Sequence, residues 1–126
     1  MKKIIITSIM LIISSYAIAQ KSNNLNGKIF RLIDQIPNST TDLKFISNTQ
    51  VVLIITNDIN GKIYIDECPG KSTFINNKVT INCVCNDKEL YPDPEKDSFI
   101  YNPKLQTLTS TISRSVDGKY FVWEIK

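Results

Sequence analysis

Short segments in which apolar and polar positions alternate follow one another along most of the chain. They are rich in Val, Ile, Thr, Phe and Tyr, and clusters of Asn, Asp, Gly or Pro separate them, which is typical of all-β sandwiches and barrels. We therefore predict a single antiparallel domain of eight or nine strands. The predicted strands are residues 28–33, 43–47, 50–56, 62–67, 72–75, 78–85, 98–101, 105–114 and 119–125.

The first of these segments also fits a helix. Apolar residues over Ile29–Ile36 form a helical stripe that ends before Pro37. However, Phe30 and Leu32 also alternate with polar or smaller positions, and β-branched residues crowd a helix. We prefer the strand and keep the helix as the alternative.

A second unusual segment is Val51–Ile55, which is apolar on both faces. A strand with one solvated face should alternate. A helix, a loop or another chain could cover its second face, or that face could simply be exposed, as single apolar residues often are.

The Asn76–Asn77 pair predicts a two-residue hairpin loop. The resulting register pairs Phe74 with Val79, Ser72 with Ile81, and Cys68 with Cys85. Pro69–Gly70 should interrupt this ladder with a bulge or bend, which could shift the register near the cysteines.

The Asp117–Gly118 pair predicts a second hairpin, with a type I′ turn. Its register pairs Ile112 with Trp123, Ser110 with Ile125, and Arg114 with Phe121. We assign one face of this hairpin to the core, namely Ile112, Phe121, Trp123 and Ile125.

The first 19 residues have the features of a cleavable secretory signal. Lys2 and Lys3 precede the apolar run Ile4–Ile13, and Ala17-Ile18-Ala19 fits the small-x-small pattern before a cut at Gln20. The run is about half the ~20 residues that a membrane span needs. We predict a signal peptide at 1–19, a polar leader at 20–26, a β domain at 27–126, and a secreted or periplasmic protein without stable membrane insertion.

Removal of the signal changes the charge balance. The mature chain would have 107 residues, and without Lys2 and Lys3 its 15 basic residues become 13 against 12 acidic ones, a formal charge of +1. Such a balance provides no electrostatic footprint for nucleic acid or an acidic membrane.

Export also bears on the three cysteines, because a disulfide is expected outside the cytoplasm. The hairpin register favours Cys68–Cys85, with Cys83 as the alternative partner of Cys68. The remaining thiol is expected to be a small buried residue, with an intermolecular disulfide or a reactive thiol as alternatives.

The absence of histidine removes the commonest general base and a common metal ligand. No phosphate loop or nucleophile elbow is present, and three thiols alone make a zinc site unfavourable. We expect no catalytic residues, no metal and no cofactor. A two-carboxylate hydrolase is the enzyme class that the composition still permits.

The acidic loop between residues 87 and 97 is the candidate partner-binding segment. A solvated loop is the simpler interpretation, because Lys88 and Lys96 lie among its acids. Its alternate acids also suggest a calcium site, but the pattern of an EF-hand is missing. The candidate residues are Asp87, Glu89, Tyr91, Asp93, Glu95 and Asp97.

Three segments resemble small secreted bacterial lipocalin-like domains. Residues 25–30 resemble their opening strand, residues 74–81 their middle hairpin, and residues 99–105 with the hairpin that follows resemble their last strands. The resemblance implies an eight- or nine-stranded antiparallel barrel with a ligand-sized interior. It implies no reaction.

We therefore expect a secreted, non-catalytic binding module that takes a small apolar ligand or a protein partner, for instance as an inhibitor of a secreted enzyme. The alternative is a structural protein of the cell envelope that self-associates through the Val51–Ile55 strand or the spare cysteine. A monomer is favoured over a dimer.

Overall fold

The structure is a computed structural model that describes residues 24–126. The predicted signal peptide, including Ala17, Ala19 and Gln20, lies outside the described residues. No helix among residues 24–126 is long and apolar enough to cross a membrane. The described chain forms eight strands: β1 (Ile29–Leu32), β2 (Ser39–Phe45), β3 (Gln50–Ile59), β4 (Lys62–Ile75), β5 (Lys78–Cys83), β6 (Glu95–Asn102), β7 (Thr107–Arg114) and β8 (Tyr120–Ile125).

These strands form a closed antiparallel barrel. Each strand pairs with the next, and β1 also pairs with β8, so that Phe30 lies between Leu43 on one side and Ile125 on the other. The predicted all-β class is confirmed, and of the two predicted architectures the barrel is the one that forms. Closure leaves none of the eight strands as an open edge.

The ambiguous Ile29–Ile36 segment is a strand as far as Leu32 and then turns. Phe30 points into the barrel and is completely buried, and β1 makes ladder pairs on both sides. The helical alternative is wrong, because these two ladders require an extended backbone.

The structure has eight strands and not the predicted nine, because the predicted strands 62–67 and 72–75 are parts of the continuous strand β4. The predicted bulge at Pro69–Gly70 does not form: Pro69 pairs with Val52 on β3, and its carbonyl oxygen accepts a hydrogen bond from Val84 N at 3.0 Å. Glycine allows this close approach, since a Cβ atom on Gly70 would overlap the Asn82 carbonyl and lie 2.6 Å from Cys83 Cα.

The β4–β5 hairpin has the predicted register. Asn76 and Asn77 adopt φ values of 51° and 62°, as a type I′ turn requires. The pairs Phe74–Val79 and Ser72–Ile81 form as predicted.

The predicted register of the β7–β8 hairpin is wrong. Gly118 has a φ of 83°, and its N–H donates to the Ser115 carbonyl oxygen at 3.0 Å, while Ser115 N–H donates to the Lys119 carbonyl oxygen at 2.8 Å. Residues 116–118 therefore form a three-residue loop with a glycine bulge instead of a two-residue type I′ loop.

The longer loop and a further register shift within the strands together change the predicted partners of β7 and β8. Leu108, not Ile112, lies opposite Trp123, and Arg114 lies opposite Tyr120, not Phe121; Ser110 and Ile125 are not partners either. The register shifts between Thr109 and Arg114. The predicted core face is correct for Trp123, Phe121 is half-buried, and Ile112 and Ile125 are exposed.

The apolar Val51–Ile55 segment lies in the middle of β3, which is paired on both sides. Val51, Leu53 and Ile55 face the interior, whereas Val52 and Ile54 face outward and are half-buried. Neighbouring strands thus shield the outer face in part, and no helix among residues 24–126 covers it.

Inward-facing side chains from all eight strands form one core. Leu25, although inside the predicted polar leader, is fully buried, and its N–H donates to Asn48 Oδ1 at 2.9 Å. The packed structure therefore includes Leu25. The buried apolar residues are Leu25, Phe30, Leu43, Phe45, Val51, Leu53, Cys68, Val79, Ile81, Cys83, Cys85, Phe99, Tyr101, Leu108 and Trp123.

Candidate functional site

One end of the barrel is filled by aromatic side chains. Phe30 makes edge-to-face contacts with Phe45 and Tyr101, at centroid distances of 5.9 and 6.0 Å, and Tyr101 makes another with Phe74 at 5.7 Å. Leu25 packs into the same core. This end is the one that carries the β2–β3, β4–β5 and β6–β7 connections, and its packing closes it.

The opposite end contains a cavity of about 330 Å³. This end carries the β1–β2, β3–β4, β5–β6 and β7–β8 connections, of which the β5–β6 loop contributes to the lining. Its lining comes from seven strands and one loop, and it consists of Leu32, Thr41, Leu53, Ile55, Ile81, Tyr91, Glu95, Lys96, Asp97, Phe99, Ser113, Phe121 and Trp123.

The deep wall of the cavity is aromatic and aliphatic. Phe99 and Trp123 pack edge to face with centroids 6.0 Å apart. Phe121 and Tyr91 bring two more rings to the lining. Trp123 Nε1 is buried and has no hydrogen-bond partner among residues 24–126.

The β5–β6 loop, residues 84–94, holds Tyr91 at the mouth. A Cys68–Cys85 disulfide, as the register predicts, attaches the start of this loop to β4. Asp87 Oδ1 accepts hydrogen bonds from the Glu89 and Leu90 N–H groups, at 3.1 and 3.0 Å, and the Asp87 carbonyl oxygen accepts one from Tyr91 N–H at 3.0 Å. This local turn directs Tyr91 back towards the core.

Tyr91 is partly buried and packs against the core cluster. Burial raises the pKa of its hydroxyl, and the negative charges of Asp66, Glu95 and Asp87 raise this pKa further. The phenol therefore stays neutral, and its surroundings are acidic.

The structure separates the predicted partner-binding residues into two groups. Tyr91, Glu95 and Asp97 line the cavity, and Asp87 is close enough to influence Tyr91. Glu89 and Asp93 are exposed and are not part of the lining.

Asp97 is held in place by its neighbours. Its Oδ1 atom accepts hydrogen bonds from Ser110 Oγ at 2.8 Å and from Ser98 N–H at 2.7 Å. The carboxylate is therefore a fixed feature of the cavity wall and not a freely rotating surface group.

The spare thiol, Cys83, is buried and unpaired among the described residues. Burial raises its pKa to about 11; a backbone hydrogen bond at Leu53 opposes this shift, and the charge of Glu95 adds to it. The thiolate is the reactive form of cysteine, and a raised pKa keeps Cys83 protonated. The environment of Cys83 therefore agrees better with a small buried residue than with a reactive thiol.

Neither the cavity nor the rest of residues 24–126 contains three His, Cys, Asp or Glu side chains grouped to hold a metal ion.

The residues that sequence reasoning missed are the hydrophobic ones. Phe99, Phe121 and Trp123 belong to predicted strands, and the hairpin pattern predicts Phe121 and Trp123 in the core, but no feature of the sequence identifies them as the wall of a cavity. Inward alternation is the signal that identifies them, although alternation does not distinguish packed interior positions from those around a void.

The chain matches no protein family, no curated protein and no solved structure. Its function is therefore inferred from the cavity.

Proposed function

We propose that the chain is an exported, non-catalytic binding protein that holds a small, largely apolar ligand in the open end of a lipocalin-like barrel. The observation that supports this most directly is the cavity of about 330 Å³ with a wall of aliphatic and aromatic side chains. Small-molecule sites have volumes of about 300–1,000 Å³ and similar linings.

The barrel architecture supports the same proposal. Eight-stranded barrels have an interior that side chains either fill or leave large enough for one small ligand. Here both arrangements occur along one axis, because aromatic packing fills one end and the other end stays open. Export is supported by the signal-like residues 1–19 and agrees with the Cys68–Cys85 disulfide.

The first experiment asks whether the cavity binds apolar compounds. The mature protein is titrated with N-phenyl-1-naphthylamine, a neutral dye that fluoresces in apolar surroundings, and organic extracts of the protein purified from its native host are examined by mass spectrometry. We expect saturable dye binding, displacement by the extracted compounds, and a change in the emission of Trp123, the single tryptophan of the chain.

A matched pair of variants locates the binding. Ile55→Trp places a large side chain in the cavity lining, whereas Ile54→Trp adds the same side chain to the outer face of the same strand. Dye binding should be lost in the first variant and kept in the second. Circular dichroism should show that both variants are folded. Absence of saturable binding to the native protein would refute the proposal.

A second candidate is the self-associating envelope protein. The closed barrel pairs β3 on both sides and buries Cys83, so among the described residues β3 has no free edge and the thiol is not at the surface. The observation that favours association is instead on β4, where Ile63 and Ile65 are 64% and 61% exposed on the outer face.

Light scattering tests this candidate. Self-association through β4 predicts a dimer or larger species that dissociates when Ile63 and Ile65 are both replaced by Ser, with no effect of a reductant. A monomer at all concentrations would contradict it. The predicted inhibitor function, with the acidic loop as the contact, would appear in the same material as copurification of a secreted enzyme.

A further inference from the structure

Four aromatic rings share the lining of the cavity: Tyr91, Phe99, Phe121 and Trp123. The face of an aromatic ring carries partial negative charge, and groups of such rings bind organic cations, above all ammonium groups with carbon substituents. The aromatic composition alone would also suit a neutral ligand, so the charges at the mouth decide between the two.

Two carboxylates, Glu95 and Asp97, are part of the same lining. Within residues 24–126 neither forms an ion pair, because both salt bridges there involve Asp42. Asp66 and Asp87 are near enough to raise the pKa of Tyr91. Two acids therefore belong to the lining, and two more lie near Tyr91.

One basic residue, Lys96, also contributes to the lining. It lies between Glu95 and Asp97 on β6, and because successive side chains of a strand point to opposite faces, its side chain points outward. It pairs with the exposed Asn82 on β5. Lys96 therefore reduces the negative charge of the rim, but within residues 24–126 it forms no ion pair with Glu95 or Asp97.

The geometry points to an organic cation as the ligand: a small ammonium compound with apolar substituents, its carbon groups against the aromatic wall and its charge beside Glu95 and Asp97. This inference rests on the proposed function. A carboxylate or phosphate head group would be repelled by the same acids, so anionic lipids are excluded as preferred ligands.

The test uses four probes with the same eight-carbon chain: octyltrimethylammonium, octylamine, octanol and octanoate. Their affinities for the mature protein are measured by calorimetry at neutral pH and low salt. We expect both ammonium probes to bind at least about tenfold more tightly than octanol, from cation–π and charge attraction together. Octanoate should bind more weakly than octanol, and added salt should reduce the ammonium preference.

A charge-removal variant tests the role of the acids. The double substitution Glu95→Gln and Asp97→Asn removes both charges while it keeps the oxygen acceptor of residue 97. The control, Glu67→Gln with Glu124→Gln, changes the net charge equally at exposed positions outside the cavity lining. The ammonium preference should disappear in the first variant and persist in the second, with octanol affinity unchanged in both.

The outcomes separate the two proposals. If octanol or octanoate binds the native protein as tightly as the ammonium probes, the cation inference is overturned and the binding function remains. The same conclusion follows if the cavity variant keeps its preference. If none of the four probes binds, the proposed function fails, and the inference that rests on it fails as well.

Discussion

Cys85, the second residue after β5, is joined by a disulfide to Cys68 in the middle of β4. The bond attaches the first residues of the β5–β6 loop to the barrel wall, and this loop carries Tyr91 to the mouth of the cavity. The crosslink thus connects the stability of the fold with the shape of the site.

We expect the double variant Cys68→Ala and Cys85→Ala to be less stable by about 3 kcal/mol, the chain-entropy value for a crosslink with a sequence separation of 17. Urea unfolding measures the difference. Dye affinity should fall as well, because Tyr91 is held less firmly. Cys83→Ala keeps the crosslink and serves as the control; equal stability of the double variant and the native protein would show that the bond adds nothing.

A second relationship lies on the outer wall. Arg31 donates to both carboxylate oxygens of Asp42, at 2.8 and 3.0 Å, and Lys126 Nζ lies 3.3 Å from Oδ2. Burial raises the pKa of Asp42, but the hydrogen bonds and charges of Arg31 and Lys126 together outweigh burial, so the pKa lies below its usual value. These contacts join β1, β2 and the residue after β8.

This shift has a defined sign for stability. An unfolded Asp has a pKa of about 3.9. Since the folded pKa is lower, the unfolded chain takes up the proton first as the pH falls, and stability is lost below about pH 4. Asp42→Asn should therefore be about 2 kcal/mol less stable than the native protein at pH 7. This difference should shrink as the pH is lowered through the folded pKa, which melting curves at several pH values would show. If the stability difference between Asp42→Asn and the native protein did not change with pH, the lowered pKa of Asp42 would be contradicted.

The two hairpins show what sequence determines locally. Asn76 and Asn77 both take positive φ, so their loop length and the register of β4 and β5 follow from the turn itself. At the other hairpin, the Ser115 hydroxyl hydrogen-bonds Asp117, and only Gly118 of the loop takes positive φ. The one-residue difference in loop length explains why Arg114 lies opposite Tyr120, and the register shift between Thr109 and Arg114 moves the remaining pairs by three more positions.

The site was predictable in its polar part. The acidic segment 87–97 stands out in a chain with few charge clusters, and its residues Tyr91, Glu95 and Asp97 line the cavity. The apolar wall was not predictable, because Phe99 and Trp123 have the alternation of ordinary core residues. Whether the interior at their level is filled depends on the tilt and closure of all eight strands, which no local pattern contains.

The buried thiol provides a third prediction. Because the pKa of Cys83 is raised to about 11, it should react with a thiol reagent such as dithionitrobenzoate at pH 8 only after unfolding. An unfolded cysteine has a pKa of about 8.5, so the unfolded chain loses its proton first, and the thiol's contribution to stability declines between about pH 8.5 and 11. Cys83→Ala should lack this decline. Rapid labelling of the folded protein would contradict the prediction.

The close contact between β4 and β5 provides the last prediction. Gly70→Ala would place a methyl group 2.6 Å from Cys83 Cα and in overlap with the Asn82 carbonyl oxygen, both of them backbone atoms that cannot rotate away. We expect a loss of about 3 kcal/mol, at the upper end of overpacking costs, measured by urea unfolding. Lys71→Ala, at the exposed neighbouring position, should change stability by less than about 0.5 kcal/mol.

Because β5 must move away from β4 to relieve the overlap, Gly70→Ala should also widen the cavity next to Ile81 and alter the emission of bound dye. Equal stability of the two variants would mean that the strands are not held as close together as the structure places them.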